Sequence, residues 1–330
     1  MPHPTPQQVW NLPEAELLSL LDTDVYKPTS NTIRFYAPSF TYYQTKHYCS
    51  STTDFPTISV TGNACTLNCK HCGGKVLETM HPALTPEELF KLGVKLKRSG
   101  AKGVLISGGC LPDGSVPLDD FVPVFGQLKS ECSLTVFVHT GIIKKETTVA
   151  LKKAGVDAAL IDVIGSEETV AKIYNLKVAV QNYADSLRAL KETELTVVPH
   201  VIVGLNEGKL DGELQALEMI QQIKPSALVI IAFMPIHGTA MADTPPPQPS
   251  DIAKVAALAR QMFPQTPLVL GCMRPKGKYR GETDVLALKA GVDAIAFPSE
   301  AAVEYAKAKG YGTIFSSYCC AQMYVDAIKP

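Results

Sequence analysis

The 330-residue sequence predicts an α/β fold, a (β/α)8 barrel of the TIM type, on three observations. Eight short β-branched runs are almost continuously apolar, at 57–61, 103–107, 134–139, 158–163, 196–203, 228–233, 268–272 and 294–298. Segments of helical period separate most of them, among them 85–99, 145–154, 166–174 and 210–223. The tripeptide Gly-Val-Asp recurs ahead of two runs, at Gly155-Val156-Asp157 and Gly291-Val292-Asp293, as a helix-to-strand turn. Apolar strands alternating with amphipathic helices mean a parallel sheet covered on both faces. Eight such repeats fit a barrel better than an open doubly wound sheet, which is the alternative.

Along the chain, an N-terminal extension (1–56) is expected to pack on the barrel, with one amphipathic helix at 13–21 followed by polar loop. The barrel itself spans 57–310, and 311–330 form a cysteine-containing tail. The proline patch Pro245-Pro246-Pro247-Gln248-Pro249 reads as a stiff lead into a helix rather than a domain boundary. In a barrel, chemistry belongs at the C-terminal ends of the strands.

Composition narrows the function. Hydrophobic residues make up 46%, charged residues 19%, and the formal net charge is -1, which argues against nucleic acid as a partner. The longest greasy stretch, 227–235, is too short to span a bilayer, and the opening residues lack a secretory pattern. A cytoplasmic protein with no membrane partner is expected.

Nine cysteines, at 49, 65, 69, 72, 110, 132, 272, 319 and 320, are an odd count in a chain large enough to need no staples. Their crowding points to metal rather than disulfides. Cys65-Thr66-Leu67-Asn68-Cys69-Lys70-His71-Cys72 directly follows the first barrel strand. Three thiolates at these spacings can converge on one iron-sulfur cube, whose fourth iron stays open to an exogenous group. A zinc loop would need a second ligand pair, and none follows.

This loop resembles that of the radical S-adenosylmethionine (SAM) superfamily. The resemblance implies a 4Fe-4S cluster on Cys65, Cys69 and Cys72, with SAM on its open iron cleaved to a 5′-deoxyadenosyl radical. Ser107-Gly108-Gly109 looks like the turn that lies against the SAM amino group, although Cys110 stands where that motif often has Glu. His200 to Glu207 resembles the adenine-contact motif, with Ile202 and Gly204 in the matching places. His71, within the cysteine loop, and Asp162, at the end of the fourth strand, join the candidate cofactor-binding set.

Within the superfamily the chain is similar to the biotin synthase branch. Gly238 and Thr239 occupy a turn near the adenine, with Ala240 replacing the family's Pro. Gly271-Cys272-Met273-Arg274 matches the strand bearing an inward Arg, and period-two alternation puts Cys272 and Arg274 on one face. Arg274 is then expected to orient substrate or SAM, the alternative being an ion pair with Asp162 or Glu207. Biotin synthase holds a second cluster partly through cysteines on strands three and five, where this chain offers Phe137 and Val198. His139 and His200 also face the catalytic side, where a lone His is as readily a core residue.

Ser316-Ser317-Tyr318 resembles the end of single-chain lipoyl synthase, whose first Ser ligates a sacrificial auxiliary cluster. The chain as a whole most resembles one subunit of the two-subunit, archaeal-type lipoyl synthase. That resemblance implies sulfur insertion into a protein-bound octanoyl chain, with an auxiliary iron-sulfur cluster on some of Cys49, Cys110, Cys272, Cys319, Cys320 and Ser316. It implies as partners a second radical SAM subunit, an octanoylated carrier protein or peptide, and an electron donor such as ferredoxin or flavodoxin. Cys132 reads as a small buried hydrophobe. The competing readings are a biotin synthase-like or other radical SAM enzyme acting on a small molecule without sulfur insertion, and a non-catalytic partner subunit.

Overall fold

The computed structural model describes residues 4–327. Its strands are β1 (Thr32–Tyr36), β2 (Thr57–Ser59), β3 (His81–Pro82), β4 (Gly103–Ser107), β5 (Thr135–His139), β6 (Ala158–Asp162), β7 (Val197–Val203), β8 (Leu228–Ala232), β9 (Leu268–Leu270), β10 (Ala294–Ala296) and β11 (Gly312–Ser316). They form one sheet in the order β11-β1-β10-β9-β8-β7-β6-β5-β4-β2-β3. Every pairing is parallel, as the unbroken apolar runs require.

The α/β barrel class and all eight expected strands are present, as β2 and β4 to β10. Three further strands widen the sheet into a curled half-barrel with free edges at β11 and β3. β1 and β11 pair in register from Thr32 with Gly312 to Tyr36 with Ser316. Both segments read from sequence as extension and tail thus contribute a strand. The extension also holds two helices, Pro6–Trp10 and Glu14–Leu21, where one was expected.

The repeated Gly-Val-Asp has one structural cause. Gly155 (φ +77°) and Gly291 (φ +85°) end helices in the left-handed conformation that suits glycine. The aspartates then tie the turn to the preceding strand: Asp157 Oδ2 accepts Val136 N–H and Asp293 Oδ2 accepts Leu268 N–H, both at 2.7 Å.

One apolar layer lies between sheet and helices, and a second lines the concave face. Phe137, Leu160, Val198, Val229, Val269 and Ala296 point into the concave space from successive strands. The tail fills it. After β11, Ser317 Oγ engages Tyr48 Oη at 2.6 Å, and Cys319, Cys320, Ala321 and Met323 bury against the inner wall. Tyr324 Oη then donates to Asp157 O, just ahead of β6, so the segment reaches the N-terminal end of the strands. Among the described residues no helix is long and apolar enough to cross a membrane.

Candidate functional site

The cysteine loop sits at the C-terminal end of β2, as the barrel rule anticipates. Neighbouring backbone anchors it: Thr66 N–H donates to Cys110 O at 2.9 Å and Lys70 N–H to Ile173 O at 2.8 Å. Asn68, at φ +45°, turns the chain so that Cys69 faces inward. The sulfurs of Cys69 and Cys72 and a ring nitrogen of His71 lie within 4.8 Å of one another. Cys65, on the same loop, is partly buried. A hydrogen bond from Cys69 pulls the Cys72 pKa down to about 4 against its burial, with help from His71. The same bond, with burial, pushes Cys69 up. One thiolate is therefore ready to ligate and a neighbour yields its proton on ligation, which suits a loop built for metal.

Gly109 explains the Gly-Gly turn. A Cβ there would lie 2.0 Å from Ala64 O and 2.6 Å from Cys65 Cα, so the turn packs directly under the loop. Its N–H donates to Thr61 Oγ1 at 2.7 Å. This amide braces the cysteine loop, a role in addition to the one expected from the family turn. Gly109→Ala is expected to displace Cys65 and cost about 1–3 kcal/mol, read as a lower denaturation midpoint and less iron per reconstituted chain.

The other expected cofactor residues ring the same mouth. Gly108, with Gly109, follows β4. Ile202 lies partly buried on β7, and Gly204, at φ +71°, turns the chain just beyond it against Pro247. Gly204 N–H donates to buried Glu213 Oε1 at 2.8 Å, and Asp211 N–H donates to Oε2 at 2.7 Å. Burial raises the Glu213 pKa to about 7 despite these donors. A raised carboxyl pKa favours the fold below the unfolded value of 4.5, and that contribution is lost as pH climbs through 7. Stability should fall across this window by up to about 3 kcal/mol, and Glu213→Gln should flatten the curve in pH-dependent denaturation. The loop after β8 comes across from the other side. A Cβ on Gly73 would lie 3.8 Å from Thr239 Cγ2, and one on Gly238 would lie 3.6 Å from Lys75 Cε.

Three neighbouring strands complete the floor. His139 (β5), Asp162 (β6) and His200 (β7) offer ligand atoms within 4.8 Å of one another. Burial works against protonation of His139, but Asp162 outweighs it and the pKa rises. Asp162 is correspondingly held low against its own burial. His200 falls to about 4, through burial and then the neighbouring His139, so it is neutral near pH 7.

Buried His71 Nδ1, Tyr174 Oη and Asp162 Oδ1 have no hydrogen-bond partner within the chain. The Tyr174 ring lies tilted against His71, with ring centroids 5.1 Å apart, and its carbonyl meets Cys69 Sγ at 3.7 Å. Unsatisfied polar atoms beside clustered thiols fit a polar cofactor over a metal cluster. Tyr174 carried no sequence signal, because a helix-end tyrosine discloses nothing about a loop far away in the chain.

The auxiliary candidates divide. Cys272, Cys319 and Cys320 border the concave interior, close enough for Cys319 to raise the pKa of both Cys272 and Cys320. Burial, then Cys319, drives Cys272 to about 11, while a hydrogen bond from Cys320 lowers Cys319. Cys110 instead belongs with the cysteine loop, raised to about 12 by burial and then by Cys65. Cys49 is exposed, with its sulfur 4.0 Å from Tyr42 Oη. Ser316 ends β11, its Oγ accepting Tyr318 N–H at 3.2 Å.

Arg274 corrects the expectation drawn from alternation. β9 ends at Leu270, so Arg274 lies beyond the strand and is fully buried. Its Nε donates to Asp284 Oδ1 at 2.8 Å, and its terminal nitrogens donate to Gly271 O, Ala296 O and Phe297 O. Its donors are thus committed to groups of the fold. Its ion-pair partner is Asp284, neither Asp162 nor Glu207.

A curled parallel half-barrel with three cysteines on the loop after β2 and paired glycines after β4 is the arrangement that the resemblance to radical SAM proteins implies. Residues 59–218 match the Radical SAM superfamily. It is similar to the biotin synthase of Rickettsia felis, 25% identical over 243 residues that cover 72% of this chain and 77% of the relative. The biotin synthase of Neorickettsia sennetsu is 24% identical over 246 residues, covering 72% and 74%. Among solved structures the fold is similar to HydG, a maturase of the FeFe-hydrogenase, with TM-score 0.65, 17% identity, and coverage of 98% of this chain and 74% of that one. Methylornithine synthase (PylB) has TM-score 0.60 and 15% identity, covering 94% and 93%.

Proposed function

We propose that this radical SAM enzyme forms a carbon–sulfur bond on a protein-bound octanoyl chain, as one subunit of a two-component lipoyl synthase. The reading rests on one observation: Cys272, Cys319 and Cys320 line the same concave interior, near enough to shift one another's titration and apart from the cysteine loop. Their donor set suits an auxiliary iron-sulfur cluster. Phe137 and Val198 fill the inner wall where biotin synthase carries cysteines, so a second cluster here draws on the tail. The likeness to biotin synthases supports sulfur insertion as the reaction class.

Cys65, Cys69 and Cys72 would hold a 4Fe-4S cluster, which with SAM on its open iron would supply one-electron radical chemistry. The chain's own residues do the rest. Gly109 fixes the loop, Gly204 and Thr239 shape the SAM subsite, and the apolar inner wall excludes water from the reacting carbon. Reaction in the cytoplasm with a second radical SAM subunit, an octanoylated carrier and a ferredoxin or flavodoxin belongs to the same proposal. A small-molecule reaction without sulfur insertion is the alternative, and the close apolar filling of the interior by the tail favours it.

The deciding experiment reconstitutes the chain anaerobically, counts iron and sulfide, and supplies an octanoyl-lysine peptide with the partner subunit. Two clusters per chain and a peptide mass gain of sulfur are expected. A single 4Fe-4S cluster with no mass gain would refute sulfur insertion.

A further inference from the structure

We propose that His139, Asp162 and His200 form a mononuclear site for a borderline divalent cation such as Zn²⁺ or Fe²⁺, separate from any iron-sulfur cluster. Three observations carry it.

The first is convergence. His139 and Asp162 end β5 and β6, His200 lies midway along the neighbouring β7, and each presents a ligand atom within 4.8 Å of the other two. Two imidazoles and one carboxylate are a donor set that suits zinc and non-haem iron.

The second is the spacing of the closest pair. His139 Nε2 and Asp162 Oδ1 lie 3.5 Å apart, and Asp162 Oδ1, though buried, makes no hydrogen bond. That separation is long for a charge-assisted hydrogen bond. It is near the roughly 3.3 Å that separates two ligands on a tetrahedral metal with bonds of about 2.0–2.1 Å. A cation between the two would satisfy the orphaned oxygen.

The third is the orientation of His200. Its Nδ1 pairs with Val198 O at 3.1 Å, so the carbonyl holds that nitrogen protonated and leaves Nε2 with a free lone pair. Metal-binding histidines are fixed in this way, by donation of the other ring N–H to a carbonyl or carboxylate. Burial favours the neutral ring.

Three protein ligands leave at least one position for water or a substrate oxygen. The site lies between the cysteine loop and the tail. Asp162 is close enough to the loop to feel His71, and His139 is close enough to the tail to feel Cys319. A cation here would polarise a substrate carbonyl or carboxylate and hold it between the two cysteine groups. This inference holds whether or not sulfur is inserted.

The test adds Co²⁺ or Zn²⁺ alone to the cluster-loaded full-length chain. One Co²⁺ per chain is expected, with d–d absorption but no intense thiolate-to-cobalt band, and Zn²⁺ should raise the melting temperature. His139→Gln and His200→Gln should each weaken binding at least ~10-fold and abolish the thermal shift, whereas Cys319→Ser should change neither. His139 is partly exposed, so His139→Gln keeps the test open if the buried His200 variant does not fold. Binding unchanged in His139→Gln, absence of tight binding to the wild-type chain, or a thiolate band lost in Cys319→Ser would each overturn the proposal.

Discussion

Replacing Cys69 with alanine is expected to leave a folded chain that neither retains the loop's iron nor cleaves SAM. Cys69 is the buried member of the motif, and its thiol both neighbours Cys72 and lowers that residue's pKa. The variant loses one ligand and weakens the next. Activity should fall well beyond the ~100-fold typical of losing an outer partner of a metal ligand. Anaerobic reconstitution followed by 5′-deoxyadenosine quantification checks this, with circular dichroism as the folding control. The fold should survive because the loop keeps its backbone anchors to Cys110 and Ile173. Product formation at the wild-type rate would show that the loop is not the reductive centre.

Asp284→Ala should have the largest effect on stability. Asp284 and Arg274 are both fully buried, and the aspartate also accepts the Ser299 N–H at 2.7 Å. Removing the carboxylate strands a guanidinium in the core and leaves that amide unpaired. Breaking such a pair costs about 3–5 kcal/mol. At roughly 2–4 °C per kcal/mol in a protein of this size, melting should fall by ~10 °C. The double variant Arg274→Met with Asp284→Ala should recover part of the loss, because no isolated charge remains. Equal destabilisation in the single and double variants would mean that packing, not charge, sets the penalty.

Much of the site was legible because its signal is local. Three cysteines within eight residues share one loop whatever the rest of the chain does, with Cys69 and Cys72 drawn within 4.8 Å, and the Gly-Gly turn lies one strand away. Arg274 was misread for an equally local reason. Alternation was extended through 274, yet the strand stops at Leu270 and the following residues turn into the core. β11 escaped notice because its alternating, largely solvent-facing pattern lacks the unbroken apolar run of a buried strand. β1 lies in the N-terminal extension, outside the eight expected runs. The placing of Cys272, Cys319 and Cys320 in one interior, and the meeting of His139 with Asp162 and His200, depend on strand order rather than sequence spacing. No periodicity encodes it.

The tail that fills the concave face imposes an order on biogenesis. β1 leaves the ribosome about 280 residues ahead of its partner β11 and of the segment through Asp326. Until they arrive, the inner wall formed by Phe137, Val198 and Val269 stands open. Such non-local contacts close slowly and leave apolar surface exposed meanwhile. The cysteine loop, complete by residue 72, must therefore wait for a lining made about 250 residues later. Newly made chains spend that interval as candidates for chaperone capture, and a nascent chain arrested before Gly312 should aggregate rather than accumulate as a soluble barrel.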